Sequence, residues 1–115
     1  MTAIDTAIAA LEQVCKAVSF GANLDNPQPD SFIVLTVLLD DAEIYAGDTD
    51  ALKTVRVRAA WYERTPPQPR ARQMRKALRE AGFVICDTAY AAEKETGFFA
   101  AYVTAQTDES CDDTD

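Results

Sequence analysis

Apolar residues recur along the first twenty positions at Ile4, Ile8, Leu11, Cys15 and Val18, a helical spacing, with Glu12, Gln13 and Lys16 falling between them. Thr2 and Asp5 supply a capping box with aspartate in the usual glutamate position, and Gly21 offers a left-handed cap, so the pattern predicts a helix from Ala3 to Val18 or Ser19. Asn23 to Asp30 holds two prolines and reads as an ordered surface loop. From Ser31 the period changes: SFIVLTVLLD is apolar or β-branched at nearly every position, which predicts a strand covered on both faces. In a chain of 115 residues the second cover could be a neighbouring subunit, or the strand could be short and buried within a monomer. Asp40 to Asp50 follows as an acidic, solvated loop without the spacing of a calcium loop.

From Lys53 the alternation is two-sided: Val55, Val57, Ala59 and Trp61 share one face, and Thr54, Arg56, Arg58 and Tyr62 the other. Thr65 to Pro69 breaks that strand, and Pro69 suits the first turn of a helix reaching about Ala81. Its apolar stripe is Ala71, Met74, Leu78 and Ala81, its basic stripe Arg72, Arg75, Lys76 and Arg79, and Gly82 ends it. Phe83 to Glu93 and Phe98 to Thr107, joined through Gly97, form a hairpin near which Tyr90, Phe98, Phe99 and Tyr102 cluster. The predicted fold is α+β: one domain over residues 1–107 in the order α-β-β-α-β-β, a mostly antiparallel sheet with two helices on one face. Residues 108–115, DESCDDTD, form an acidic tail too polar to order itself.

The charge is unevenly placed. Lys53 to Arg79 holds nine of the 11 Lys and Arg against Glu63 alone, a local balance of +8, so with a net charge of −8 the rest of the chain carries −16. Such a separation favours an interaction surface, since catalysis needs a few convergent groups whereas a charge field steers whole partners. There is no histidine, which excludes Ser-His and Cys-His nucleophilic chemistry. Cys15, Cys86 and Cys111 are odd in number and far apart, with no C-x-x-C pair, so a zinc site is not expected. Cys15 and Cys86 read as core thiols, and Cys111 as inert among carboxylates. No catalytic residue, cofactor site or metal site is expected, and the chain reads as a non-enzyme. No apolar run reaches the length of about 20 residues that spans a bilayer, and the amino terminus lacks a secretory pattern, which places the chain in the cytoplasm where it is made.

Four stretches together, FIVLTVLLDDAEIYAGD, VRVRAAWYE before a proline-bearing break, RARQMRKALREAGF and AYAAEKETGFFAAYVT, resemble the tail terminator and related head-tail joining (neck) proteins of long-tailed bacteriophages. The resemblance spans nearly the whole chain and carries no catalytic signature. It implies a homo-oligomeric ring, commonly a hexamer, that caps the tail tube at its head-proximal end and offers its other face to a head-completion or connector protein. Its partners would be further copies of itself, the tail tube protein and that connector. Its place would be the virion neck, after assembly in the host cytoplasm. The very basic second helix is a departure from what the resemblance requires.

A head-to-tail ring interface sets unlike surfaces together. The charge split therefore nominates Arg56, Arg58, Arg72, Arg75 and Arg79 on one subunit against Asp40, Asp41, Glu43, Asp48 and Asp50 on the next. Two other readings use the same residues. One is a head-side connector or adaptor. The other is a small nucleic-acid-binding domain in which the basic segment Arg56 to Arg79 meets phosphates while Trp61 and Tyr62 stack on bases. The net charge of −8 and pI near 4.4 oppose the latter, and no specific nucleic-acid binding is expected.

Overall fold

The computed structural model describes residues 2–20, 31–43, 52–95 and 97–110. Helix α1, Ala3–Glu12, starts at the expected capping box: the Asp5 amide donates to Thr2 Oγ1 at 3.1 Å and the Thr2 amide to Asp5 Oδ2 at 3.4 Å. It is shorter than its period predicts. Gln13 is its C-cap, and the Val14 and Cys15 amides both close on the Leu11 carbonyl. Val18–Phe20 is a strand, β1, instead of the helix's last turn, and Gly21, the expected cap, lies outside the described residues. Cys15 and Val18 do pack against the core, but Cys15 does so from the turn that closes on Leu11 and Val18 from the strand β1. The Ile33 amide holds that segment by donating to the Ala17 carbonyl at 2.8 Å.

Strands β2 (Phe32–Glu43), β3 (Leu52–Glu63), β4 (Val84–Ala92) and β5 (Phe99–Ser110) complete an α+β domain with helix α2 (Gln68–Glu80) between β3 and β4. The sheet order is β1-β2-β3-β5-β4; β1 runs parallel to β2 and every other pairing is antiparallel. Five strands replace the four expected. Asp40 to Glu43 belong to β2, paired with Leu52 to Val55, and are not the start of a loop. Beyond a register shift between Val37 and Leu39, β3 supplies the backbone ladder for them. At the other end of the chain Asp108, Glu109 and Ser110 are part of β5, paired with Thr54, Lys53 and Leu52, so the ordered domain reaches beyond residue 107. The loop Asn23 to Asp30, Asp48, Asp50, Cys111 and the rest of the acidic tail lie outside the described residues.

Both helices cover one face of the sheet, as the alternation in β3 predicts. Ala7 and Leu11 of α1 and Ala71, Met74 and Leu78 of α2 meet Ile33, Leu35, Val55, Val57, Ala59, Trp61, Ala101, Val103 and Ala105. Alanines at contact positions let the helices approach the sheet closely. Helix α2 ends in a Schellman motif: the Phe83 amide bonds the Leu78 carbonyl at 2.9 Å, the Gly82 amide bonds the Arg79 carbonyl at 3.0 Å, and Gly82 takes φ +99°. Phe83 is thereby turned into the core beside Leu78. Gly97 takes φ +76° at the β4–β5 turn, where a positive φ was expected.

Candidate interaction surface

The sheet face away from the helices is organised in rows fixed by register. One row crosses Phe32, Tyr62, Ala100 and Ala91, the next Val34, Ala60, Tyr102 and Ala89, and a third Thr36, Arg58, Thr104 and Asp87. Beyond a bulge between Val37 and Leu39 the row is Leu39, Arg56, Gln106 and Val84. The face therefore grades from aromatic to basic along the strands. At its aromatic end Phe32 stacks on Tyr62 with ring centroids 5.1 Å apart, Phe98 meets Phe32 edge-on at 5.9 Å, and Tyr102 meets Tyr62 edge-on at 6.4 Å. Burial, and then a hydrogen bond with Tyr102, raise the Tyr62 phenol above its usual pKa.

Arginines close over these rings: the Arg58 guanidinium lies 5.6 Å from the Tyr102 centroid and that of Arg64 4.8 Å from Phe98. Arg56 holds Gln106 Oε1 with two nitrogens, at 3.1 and 2.9 Å. The both-sided burial expected of β2 is thus met only in part. Phe32 is covered by its aromatic neighbours, but Val34 is half-buried and Leu38 stands exposed. Of the predicted cluster, Phe98 and Tyr102 belong to it, whereas Tyr90 pairs with Ala101 and lies exposed on the other side.

The second basic group is on the opposite side of the sheet. Arg72, Lys76 and Arg79 project from α2 in one exposed stripe, paired with no carboxylate among the described residues. Half-buried Arg75 donates to Thr88 Oγ1 of β4 at 3.3 Å. The nominated arginines are therefore divided: Arg56 and Arg58 lie on the open face, Arg72, Arg75 and Arg79 on the helical face. The division is forced by pleating, since Val55, Val57 and Ala59 must face α2 and their neighbours cannot. Asp40, Asp41 and Glu43 occupy register positions opposite Val55, Thr54 and Leu52, at the far end of the sheet. Trp61 is 3% exposed in the core, and Tyr62 lies on the face away from α2, so neither is placed to stack on a strand bound by the arginine helix.

Sequence reasoning missed one polar cluster. The Trp61 indole N–H donates to Ser31 Oγ at 2.7 Å, Ser31 donates to Glu63 Oε1 at 3.0 Å, and Arg70 Nε donates to Glu63 Oε2 at 2.7 Å. Thr65 donates to the same oxygen, and the Arg70 guanidinium lies 5.1 Å from the Trp61 ring, closing the circuit. Burial raises the Glu63 pKa, but the hydrogen bonds from Arg70, Thr65 and Ser31 together outweigh it and hold the carboxyl below its ordinary value. The signal in the sequence was Glu63 as the one acid in a basic stretch. Cys86, read as a core thiol, is exposed on β4, and Cys15 is half-buried.

Among the described residues neither lateral edge of the sheet carries a further strand. β4 pairs only with β5, and β1 covers β2 only from Ile33 to Leu35. The large exposed hydrophobics among the described residues all lie on these edge strands: Phe20 (53% exposed) on β1, Leu38 (45%) on β2, and Val84 (64%) and Tyr90 (46%) on β4.

No protein-family model matches the chain, and no curated protein matches it by sequence. Solved structures do match by fold. Among them is a chain of the virion of a native gene transfer agent particle, superposed with a TM-score of 0.57 at 10% identity over 88% of this chain and 84% of that one. At that identity the likeness establishes a shared fold.

Proposed function

We propose that the chain is a structural protein of a phage-like virion and acts as a tail terminator: a ring of six copies at the head-proximal end of the tail tube, ending tube growth and presenting a surface to a head-completion protein. One observation carries the reading. A fold shared with a gene transfer agent virion chain extends over most of both chains, so the similarity concerns the whole architecture and not a common sub-motif. The terminator role itself rests on the likeness of the strand, helix and hairpin stretches to that family. Three features of the surface suit assembly: sheet edges with no further strand among the described residues, exposed apolar residues along them, and a sequence whose charge is unevenly placed. The subunit and the tail tube protein would meet through protein surfaces alone, without a cofactor.

The test is genetic and visual. Particles assembled without this protein should carry tails of uncontrolled length or heads without tails, and the purified protein should form closed rings in electron micrographs. Tails of normal length joined to heads in its absence would overturn the terminator role.

A further inference from the structure

β4 ends the sheet beyond β5, and among the described residues no strand pairs with its outer side. Such an edge presents unpaired amides and carbonyls, which soluble proteins usually blunt with lysine, proline or a covering segment. The nine residues of β4, VICDTAYAA, contain neither lysine nor proline and a single charge, Asp87. Val84 and Tyr90, toward its two ends, are exposed. Residues 21–30 and 44–51 connect β1 to β2 and β2 to β3, strands on the far side of β5 from this edge.

Register fixes which way the side chains of β4 turn. Thr88 and Tyr90 pair with Val103 and Ala101, which face the helices, whereas Asp87, Ala89 and Ala91 pair with Thr104, Tyr102 and Ala100 on the open face. Helix α2 borders the first group, since Arg75 donates to Thr88 Oγ1 at 3.3 Å. Arg72 and Arg79 lie one turn to either side of Arg75 with Lys76 beside it, and these three are exposed and paired with no carboxylate among the described residues. One side of the edge is therefore bordered by four cations, the other by one carboxylate and small residues.

We propose that the β4 edge, with α2 beside it, is a docking site for an extended acidic segment of another protein, which adds a strand to the sheet and sets a carboxylate at every second position against Arg72, Arg75, Lys76 and Arg79. The spacing fits. Alternate residues of a strand recur about every 6.8 Å and the turns of a helix about every 5.4 Å, so three successive carboxylates span about 14 Å beside the roughly 10 Å from Arg72 to Arg79, a difference that long side chains absorb. The intervening residues of the segment turn to the open side, where Asp87 favours neutral neighbours. A nucleic-acid strand would meet the cations but has no amides and carbonyls to pair with β4, and the net charge of −8 opposes a long polyanion more than a short segment. A second copy pairing its β4 antiparallel to this one would bring its own arginine helix to the same side, cation against cation. The site belongs to one subunit, so it stands or falls separately from the ring.

The test titrates the full-length protein into a fluorescent peptide as long as β4, nine residues of alternating glutamate and threonine, and follows its anisotropy. The peptide should bind, R72E/R79E should weaken binding at least about tenfold, and R58E/R64E, the same change of charge placed at the open face, should bind as wild type does. All four positions are exposed, and circular dichroism checks that both variants are folded. Hydrogen exchange at the amides of Val84–Ala92 should slow when the peptide is present, a change that attraction to α2 alone would not produce. No binding, an equal loss in both variants, or binding that leaves exchange in β4 unchanged would overturn the proposal. So would tighter binding of single-stranded oligothymidine at the same arginines, or protection of β4 by self-association of the protein alone. Absence of closed rings in micrographs, with the peptide bound and β4 protected, would overturn the ring and leave this site.

Discussion

Replacing Glu63 by glutamine removes a charge while leaving the shape of the Trp61 cluster nearly unchanged. In the wild-type protein the carboxylate accepts from Ser31 on one oxygen and from Arg70 and Thr65 on the other. A glutamine can keep its carbonyl toward Arg70, which can only donate, and turn its amide toward Ser31, whose hydroxyl can accept. What is lost is the charge assistance, a difference of about 1 kcal/mol between a hydrogen bond to an ion and a neutral one. The Arg70 side chain is 35% exposed and that of Glu63 13%, so solvent screens the pair from one side and the larger cost of breaking a buried ion pair does not apply. For a domain of this size the loss corresponds to a melting temperature lower by about 4 °C at neutral pH.

The pH dependence supplies the sign. The folded pKa of Glu63 lies below its ordinary value of 4.5, so the folded state holds the proton less readily than the unfolded one. The contribution is fully present above the unfolded value and is lost as pH falls through the lower, folded value. The gap between wild type and Glu63→Gln should therefore be constant near neutrality and close in acid. Thermal melts followed by fluorescence suit the measurement, since Trp61 is the sole tryptophan and the Arg70 guanidinium lies over its ring. A Glu63→Gln protein as stable as wild type at pH 7, or a gap that widens in acid, would refute the reasoning.

Trp61→Ala should cost about 3 to 5 kcal/mol, because the ring is buried among core residues and its N–H is bonded, whereas Arg56→Ala, on the open face, should cost no more than about 1 kcal/mol for its bond to Gln106; equal falls in melting temperature would show the faces of β3 to be exchanged. Truncation after Ser110 should leave the melting temperature nearly unchanged, while truncation after Thr107 removes the pairing of Asp108 to Ser110 with β3, including the 3.0 Å bond from Thr54 to Asp108, and should lower it; an equal effect of the two deletions would place the end of the ordered strand elsewhere.

Several elements were legible in the sequence because each is specified by neighbours in the chain. The capping box of α1, the stripe of α2 with Gly82 after it, the alternation from Val55 to Trp61 and the turn at Gly97 all depend on contacts within a few residues or on one face meeting a core. The end of α1 was not legible, since Cys15 and Val18 keep a helical spacing while Val18–Phe20 is claimed by β2, a partner some fifteen residues away. Asp40 to Glu43 looked like a solvated loop and became strand because β3 offered a ladder that composition does not encode. The division of the arginines followed from pleating once α2 had chosen a side of the sheet. The circuit of Trp61, Ser31, Glu63 and Arg70 required β3, the start of β2 and α2 to converge at one corner. Residue spacing records which face a side chain takes within its own element. Which element lies across from it, and which edges remain open, is decided only when strands distant in sequence pair.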